Sequence, residues 1–190
     1  RATHSAQIPV HSVHGAPLQP LAALCVPQVR GAHYPHDPRM IDRLDESGIL
    51  FWSETLGPAV GVGNTLDWEH FLKFRLVQMQ EMLDNAMNHA AIFTWGWFNE
   101  GPSGDKRACP AYGACAKLAR DQDPTRFGTW TDSSKLKGVC FEHATLISFN
   151  DYPGWYTDSI EEVHGTWAAF AAWAKGHFPT KPFLISETGA

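Results

Sequence analysis

From Val29 onward, short apolar runs alternate with stretches whose apolar residues recur every three or four positions. The runs are of strand length and rich in aromatic and β-branched residues: "ILFWSE" (49–54), "AIFTWGWFN" (91–99), "RFGTWT" (126–131), "ATLISFN" (144–150) and "KPFLISE" (181–187), preceded by a short strand ending at "VRGAHYP". Between them, "DPRMIDRLDESG" (37–48) predicts a helix capped by Asp37, opened by Pro38 and stopped by Gly48. Trp68, Leu72, Leu76, Met79, Leu83, Ala86 and Ala90 predict a long amphipathic helix over 67–88, reached through a Gly-rich loop (55–66). "CPAYGACAKLARDQ" (109–122) predicts a third helix, ended by Asp123-Pro124. Asp158 and Glu161 resemble a capping box opening a fourth, with Ile160, Val163, Trp167, Phe170 and Ala174 as its apolar face. Residues 1–28 carry four Pro and no sustained period; only "LAALCV" (21–26) looks like an element.

Strand–helix alternation predicts an α/β fold with a parallel sheet covered by helices. An open doubly wound sheet and a closed (β/α)8 barrel both satisfy it. Neither G-x-G-x-x-G nor G-x-x-x-x-G-K-[ST] follows a strand, which removes support from the nucleotide-binding versions. Polar or aromatic groups gather at six successive strand ends: Arg30 and His33, Glu54, Asn99 and Glu100, Trp130 and Asp132, Asn150 and Tyr152, and Glu187. Barrel enzymes build their sites there, so the TIM barrel is the expected architecture.

Composition narrows the function. Lys and Arg total 15 with no basic run, and the net charge is -5, so no nucleic-acid partner is expected. No apolar run approaches the ~20 residues of a membrane span, so no membrane partner is expected either. The first residue is Arg1, with no charged-then-apolar leader, so a native N-terminus is not expected in this sequence. The eight Trp suit either a core or stacking on sugars; for most of them the core is favoured. Cys25, Cys109, Cys115 and Cys140 form no C-x-x-C pair, which argues against zinc. Cys109 and Cys115 could bridge around Pro110, or all four could be free thiols. "HSVH" (11–14) and "HYPH" (33–36) have a spacing that could seat a metal on a helix, but both lie in Pro-flanked extended context. No metal or cofactor is expected.

Glu100 and Glu187 share a context: each follows an apolar strand directly and precedes a turn with Gly. In a barrel both would face one mouth. Two carboxyl groups ~5–5.5 Å apart can break a glycosidic bond with retention, one attacking the anomeric carbon and the other passing a proton. The acid must keep its proton near neutral pH, and Trp95, Trp97 and Phe98 could form a dry wall around Glu100. On spacing alone, strand-end Glu residues are more often caps or ion-pair partners. Glu54 could contact substrate or pair with Arg30; Trp155 could be a sugar platform or, more in keeping with its neighbours, a core anchor.

"VRGAHYPHDPR", "WGWFNEG", "ISFNDYPGWY" and "KPFLISETGA", in this order, resemble successive signatures of the glycoside hydrolase family 2 catalytic domain, which includes β-glucuronidases, β-galactosidases and β-mannosidases. The resemblance spans about 29–190 and implies a retaining (β/α)8 barrel acting on a carbohydrate. By position it makes Glu100 the acid/base and Glu187 the nucleophile, with Asn99 on the sugar 2-hydroxyl. It places Arg30, His33, Asn150, Tyr152 and Tyr156 around the substrate, a Tyr orienting the nucleophile. The six strands correspond to about strands 2–7, so the barrel is expected to be incomplete, its missing strands supplied by a longer parent chain. The competing expectation is a truncated, non-catalytic barrel remnant with weak or no sugar binding.

Overall fold

A computed structural model describes residues 28–57, 70–156 and 159–189. "LAALCV", "HSVH", Cys25, Trp68 and Asp158 lie outside the described residues. The elements run β1 (Gln28–Arg30), α1 (Pro38–Ser47), β2 (Leu50–Glu54), α2 (Phe71–Ala86), β3 (Ile92–Asn99), α3 (Cys109–Gln122), β4 (Phe127–Thr131), β5 (Ile147–Asn150), α4 (Val163–His177) and β6 (Phe183–Glu187). Strands β1 to β4 pair in parallel in chain order, as do β5 and β6. A parallel bridge from Asp132 to Phe149 joins β4 to β5. There the Asp132 N–H donates to the Ser148 carbonyl at 3.2 Å, and the Asp132 carbonyl accepts from the Asn150 N–H at 2.8 Å. Six parallel strands in sequence order, with helices on most crossovers, make a partial (β/α) barrel.

Local chemistry accounts for the elements. The Asp37 side chain caps α1 through the Arg39 N–H, Pro38 opens the helix, and Gly48 ends it in the left-handed conformation. A 3-10 turn (Ile160–Glu162) opens α4 and carries a capping box formed by Ser159 with Glu162. The crossover from β4 to β5 carries only a 3-10 turn (Phe141–His143), so β5 begins at Ile147 rather than at 144.

The core lies between the strands and the helix layer. Trp95, Trp97, Tyr112, Trp130, Phe141 and Phe149 are fully buried there. The Tyr112 and Trp130 rings meet edge-on at 4.6 Å, and Trp130 stacks on Phe141 at 5.2 Å. Such pairs add about 0.5–1.5 kcal/mol each beyond simple burial. This placement corrects the expected wall around Glu100. The Trp95 indole N–H donates to Asp123 at the end of α3, Trp97 packs over Gly128 beside Ala119 and against Trp130, and Phe98 sits between Phe71 of α2 and Tyr112 of α3. The register against β4 slips between Gly96 and Asn99, so strict alternation fails and Trp97 and Phe98 both serve the helix side.

The cysteine expectation is also corrected. Cys109 pairs with Cys140, tying the start of α3 to the loop after β4. Cys115 lies on the same helix as Cys109 but turns into the core, where burial pushes its free thiol up to about 12.

On the inner side, β3 passes close to β2 at Gly96, where a Cβ would run into the Trp52 indole. Gly96→Ala is therefore expected to lower stability by about 1–3 kcal/mol, the usual effect of overpacking. Urea unfolding of the protein carrying this domain checks it; an unchanged midpoint would show that Trp52 yields freely.

Candidate active site

The β1 end delivers Arg30, whose guanidinium is shared among three other strands. It forms two hydrogen bonds of 3.0 Å to Glu54 at the end of β2, donates at 2.9 Å to the Asn99 Oδ1 at the end of β3, and pairs with Glu187 at the end of β6. It also lies 5.1 Å from the Trp52 ring centroid. Glu54 is 1% exposed, and a carboxylate that deeply buried is tolerated only when paired. Of its two sequence readings, the ion pair with Arg30 is the one the structure shows. His33 stands 3.4 Å from Glu54; that contact raises its pKa, against the opposing effects of burial and Arg30. The other histidine of "HYPH", His36, packs between Tyr34 and Phe51.

Glu187 is held from two sides. One carboxylate oxygen pairs with Arg30 and the other accepts the Tyr152 hydroxyl. Burial alone would push its pKa up, but the Tyr152 hydroxyl, the Arg30 charge and His33 outweigh burial and hold it below the ordinary glutamate value. Tyr152 responds in the opposite sense: burial and the neighbouring Glu187 make its hydroxyl harder to ionise.

Glu100 follows β3 with φ 52°, a left-handed conformation for a residue with a side chain. Its N–H donates to the Thr131 carbonyl at 2.9 Å, and its carboxylate accepts from the Asn150 Nδ2 at 2.9 Å. Asn150 also reaches Asn99 at 3.3 Å, and its Oδ1 accepts the Ser186 hydroxyl at 2.9 Å. The serine fixes which end of the amide faces Glu100. A hydrogen-bonded chain thus runs from Glu100 through Asn150, Asn99 and Arg30 to Glu187. Both carboxylates follow register slips, at Gly96–Asn99 on β3 and opposite Phe149–Asn150 on β6. Such irregularities re-aim side chains at the rims of barrels.

Arg30, His33, Asn99, Glu100, Asn150, Tyr152 and Glu187 are therefore brought together. Tyr156 joins only at the rim: it is 74% exposed, its ring edge-on to Tyr152 at 5.2 Å. Trp155, expected as a core anchor, is instead 64% exposed in the same turn, because the chain has left β5 and has no layer above it among the described residues. Ser186 was missed. A serine beside the glutamate carries no signal when strict alternation turns it away; only the slip on β6 brings it round. Ser103, which donates to the buried Asp132, was missed because it lies in the loop after β3. Among the described residues no cluster of His, Cys, Asp or Glu forms a metal site.

Residues 16–190 match the model for glycosyl hydrolases family 2, TIM barrel domain. The chain is 31% identical over 167 residues to a beta-glucuronidase of Bacteroides fragilis and 29% identical over 166 residues to that of Sus scrofa, each match covering 85% of this chain. It spans only 23% and 25% of those relatives' lengths. The structure superposes with a TM-score of 0.83 on a family 2 beta-galacturonidase from Eisenbergiella tayi bound to galacturonate, at 28% identity, covering 91% of this chain and 31% of that one. The match over nearly the whole chain, on a partial parallel barrel, shows that it belongs to glycoside hydrolase family 2 as part of the family's TIM barrel domain.

Proposed function

We propose that the complete protein hydrolyses terminal β-glycosides with retention of configuration, and that residues 29–190 form the catalytic part of its barrel. Glu187 is the nucleophile and Glu100 the acid/base. The observation that carries this reading is the difference in hydrogen-bond partners between the two carboxylates. Arg30 and Tyr152 hold Glu187 ionised, whereas the side-chain donor to Glu100 among the described residues is the neutral Asn150 amide.

In the first step the Glu187 oxygen bonds to the anomeric carbon. The carbon–oxygen bond to the leaving group breaks, its electron pair stays on that oxygen, and the Glu100 proton goes to it. In the second, water attacks the anomeric carbon, gives its proton to Glu100, and the bond to Glu187 breaks. Asn99 and Asn150 contact the sugar hydroxyls, Arg30 and His33 line the subsite, and Tyr152 orients the nucleophile. Tyr156 stands at the entrance. The names of the relatives favour a β-linked uronide as substrate, with a β-galactoside as the other candidate.

The test is hydrolysis of aryl β-glucuronide, β-galacturonide and β-galactoside by the full-length protein. Glu187→Ala is expected to abolish turnover, and Glu100→Ala to cut it by about 10²–10⁴, the usual worth of general acid–base catalysis. A folded wild type inert on all three would favour the non-catalytic remnant; full activity in either variant would remove the assignment.

A pH profile gives a second check. Glu187 attacks only when ionised, so kcat/KM falls as pH drops through its pKa, which lies below the ordinary glutamate value. Tyr152→Phe removes a hydrogen bond to the charged form and is expected to move this acid limb to higher pH. A limb that stays in place would show that Tyr152 does not act on Glu187.

A further inference from the structure

Beside the proposed acid/base lies a buried carboxylate that none of the steps above uses. Asp132, directly after β4, is 0% exposed. It accepts the Ser103 hydroxyl on one oxygen and, on the other, the Ser134 N–H at 2.8 Å and the Ser134 hydroxyl at 2.7 Å. No basic side chain is paired with it among the described residues. A buried carboxylate without a cation is costly, and burial pushes its pKa up, an effect its serine partners counter and Glu100 reinforces.

Its connections converge on Glu100. Its hydroxyl donor, Ser103, lies three residues beyond Glu100, in the same turn. Its own carbonyl accepts the N–H of Asn150, the residue whose amide grips the Glu100 carboxylate. Its chain neighbour Thr131 accepts the Glu100 N–H. The β4 end therefore grips the Glu100 turn at both ends, at residue 100 through backbone and at residue 103 through a side chain. Two further ties hold the same region: the Val139 N–H donates to the Ser103 carbonyl at 2.8 Å, and the Cys109–Cys140 disulfide joins the start of α3 to the loop after β4. The turn needs such restraint. Left-handed backbone at a residue with a side chain costs about 1–3 kcal/mol and persists only where the surroundings over-determine it. Gly101, the next residue, lies close against α3: a Cβ there would stand 2.5 Å from the Tyr112 hydroxyl.

We infer that Asp132 and Ser103 are positioning residues for the proposed acid/base: their hydrogen bond fixes the Glu100 turn so that its carboxyl reaches the glycosidic oxygen. This rests on the assignment of Glu100 made above.

Leaving-group dependence tests it, because an acid matters only where the departing oxygen needs its proton. In the full-length protein, kcat/KM is measured for a series of aryl β-glycosides from activated to poor leaving groups. The enzymes are wild type, Glu100→Ala, Asp132→Asn and Ser103→Ala. Ser103→Ala removes one hydroxyl and leaves Asp132 both Ser134 bonds, so it keeps the test valid if Asp132→Asn does not fold. Either variant is expected to lose about 10–100-fold with poor leaving groups, the scale of a misplaced catalytic group, and less than about threefold with activated ones. An equal loss across the series, or none, overturns the inference. If Glu100→Ala itself shows no steeper dependence than wild type, the acid/base assignment fails instead, and the two failures are told apart.

Discussion

The Arg30 guanidinium holds the mouth of this barrel together. It extends from β1 to the carboxylate at the end of β2, to the amide at the end of β3 and to the carboxylate at the end of β6. Among the described residues β1 and β6 are the outer strands, each paired on one side only, and the side-chain contact between Arg30 and Glu187 spans the opening. Glu54 and Glu187 both converge on Arg30, and without this cation the two largely buried carboxylates would repel each other. Removing one partner of a buried pair typically costs about 3–5 kcal/mol, because the charge left behind stays buried. Arg30 thus couples fold to the proposed chemistry: the guanidinium that ties the ends of β2, β3 and β6 to β1 also keeps Glu187 negative.

The rest of the site depends on departures from regular β-geometry. A strand alternates its side chains, so an undistorted β3 could not send Trp97 and Phe98 to the helices and still aim Asn99 inward. The slip on β3 resolves that conflict, and the one on β6 brings Ser186 to the amide of Asn150 while Glu187 meets Arg30 and Tyr152. Asn150 is the hub that relates the two sides. It holds Glu100 by its amide, is itself oriented by Ser186, and takes its backbone position from Asp132.

Much of this could be read from the sequence, for identifiable reasons. Asp37-Pro38 and Gly48 mark α1 because capping is local chemistry, and the apolar runs mark strands because burial on both faces demands them. The strand-end polar groups, including Arg30, Glu100 and Glu187, stand out because an apolar run seldom stops on a charge without cause. Contacts made between distant segments were not legible. Cys109 meets Cys140 across 31 residues because the start of α3 folds onto the loop after β4, whereas the spacing alone offered a bridge to the nearer Cys115 or four free thiols. The direction of Trp95, Trp97 and Phe98 follows from register against β4, a property of the pair of strands rather than of β3 alone.

The central claim is that Glu187, held negative by Arg30 and Tyr152, supplies the oxygen that bonds to the anomeric carbon of the sugar. Trapping that bond is the most direct measurement. The full-length protein is incubated with a 2-deoxy-2-fluoro β-glycoside of its preferred sugar bearing an activated leaving group, which slows release of the covalent intermediate. Peptide mass spectrometry then locates the adduct. The account predicts one fluoroglycosyl group per protein, on Glu187, lost on further incubation as activity returns. A label on Glu100 or another residue, or turnover of the natural glycoside with no adduct formed, would contradict it.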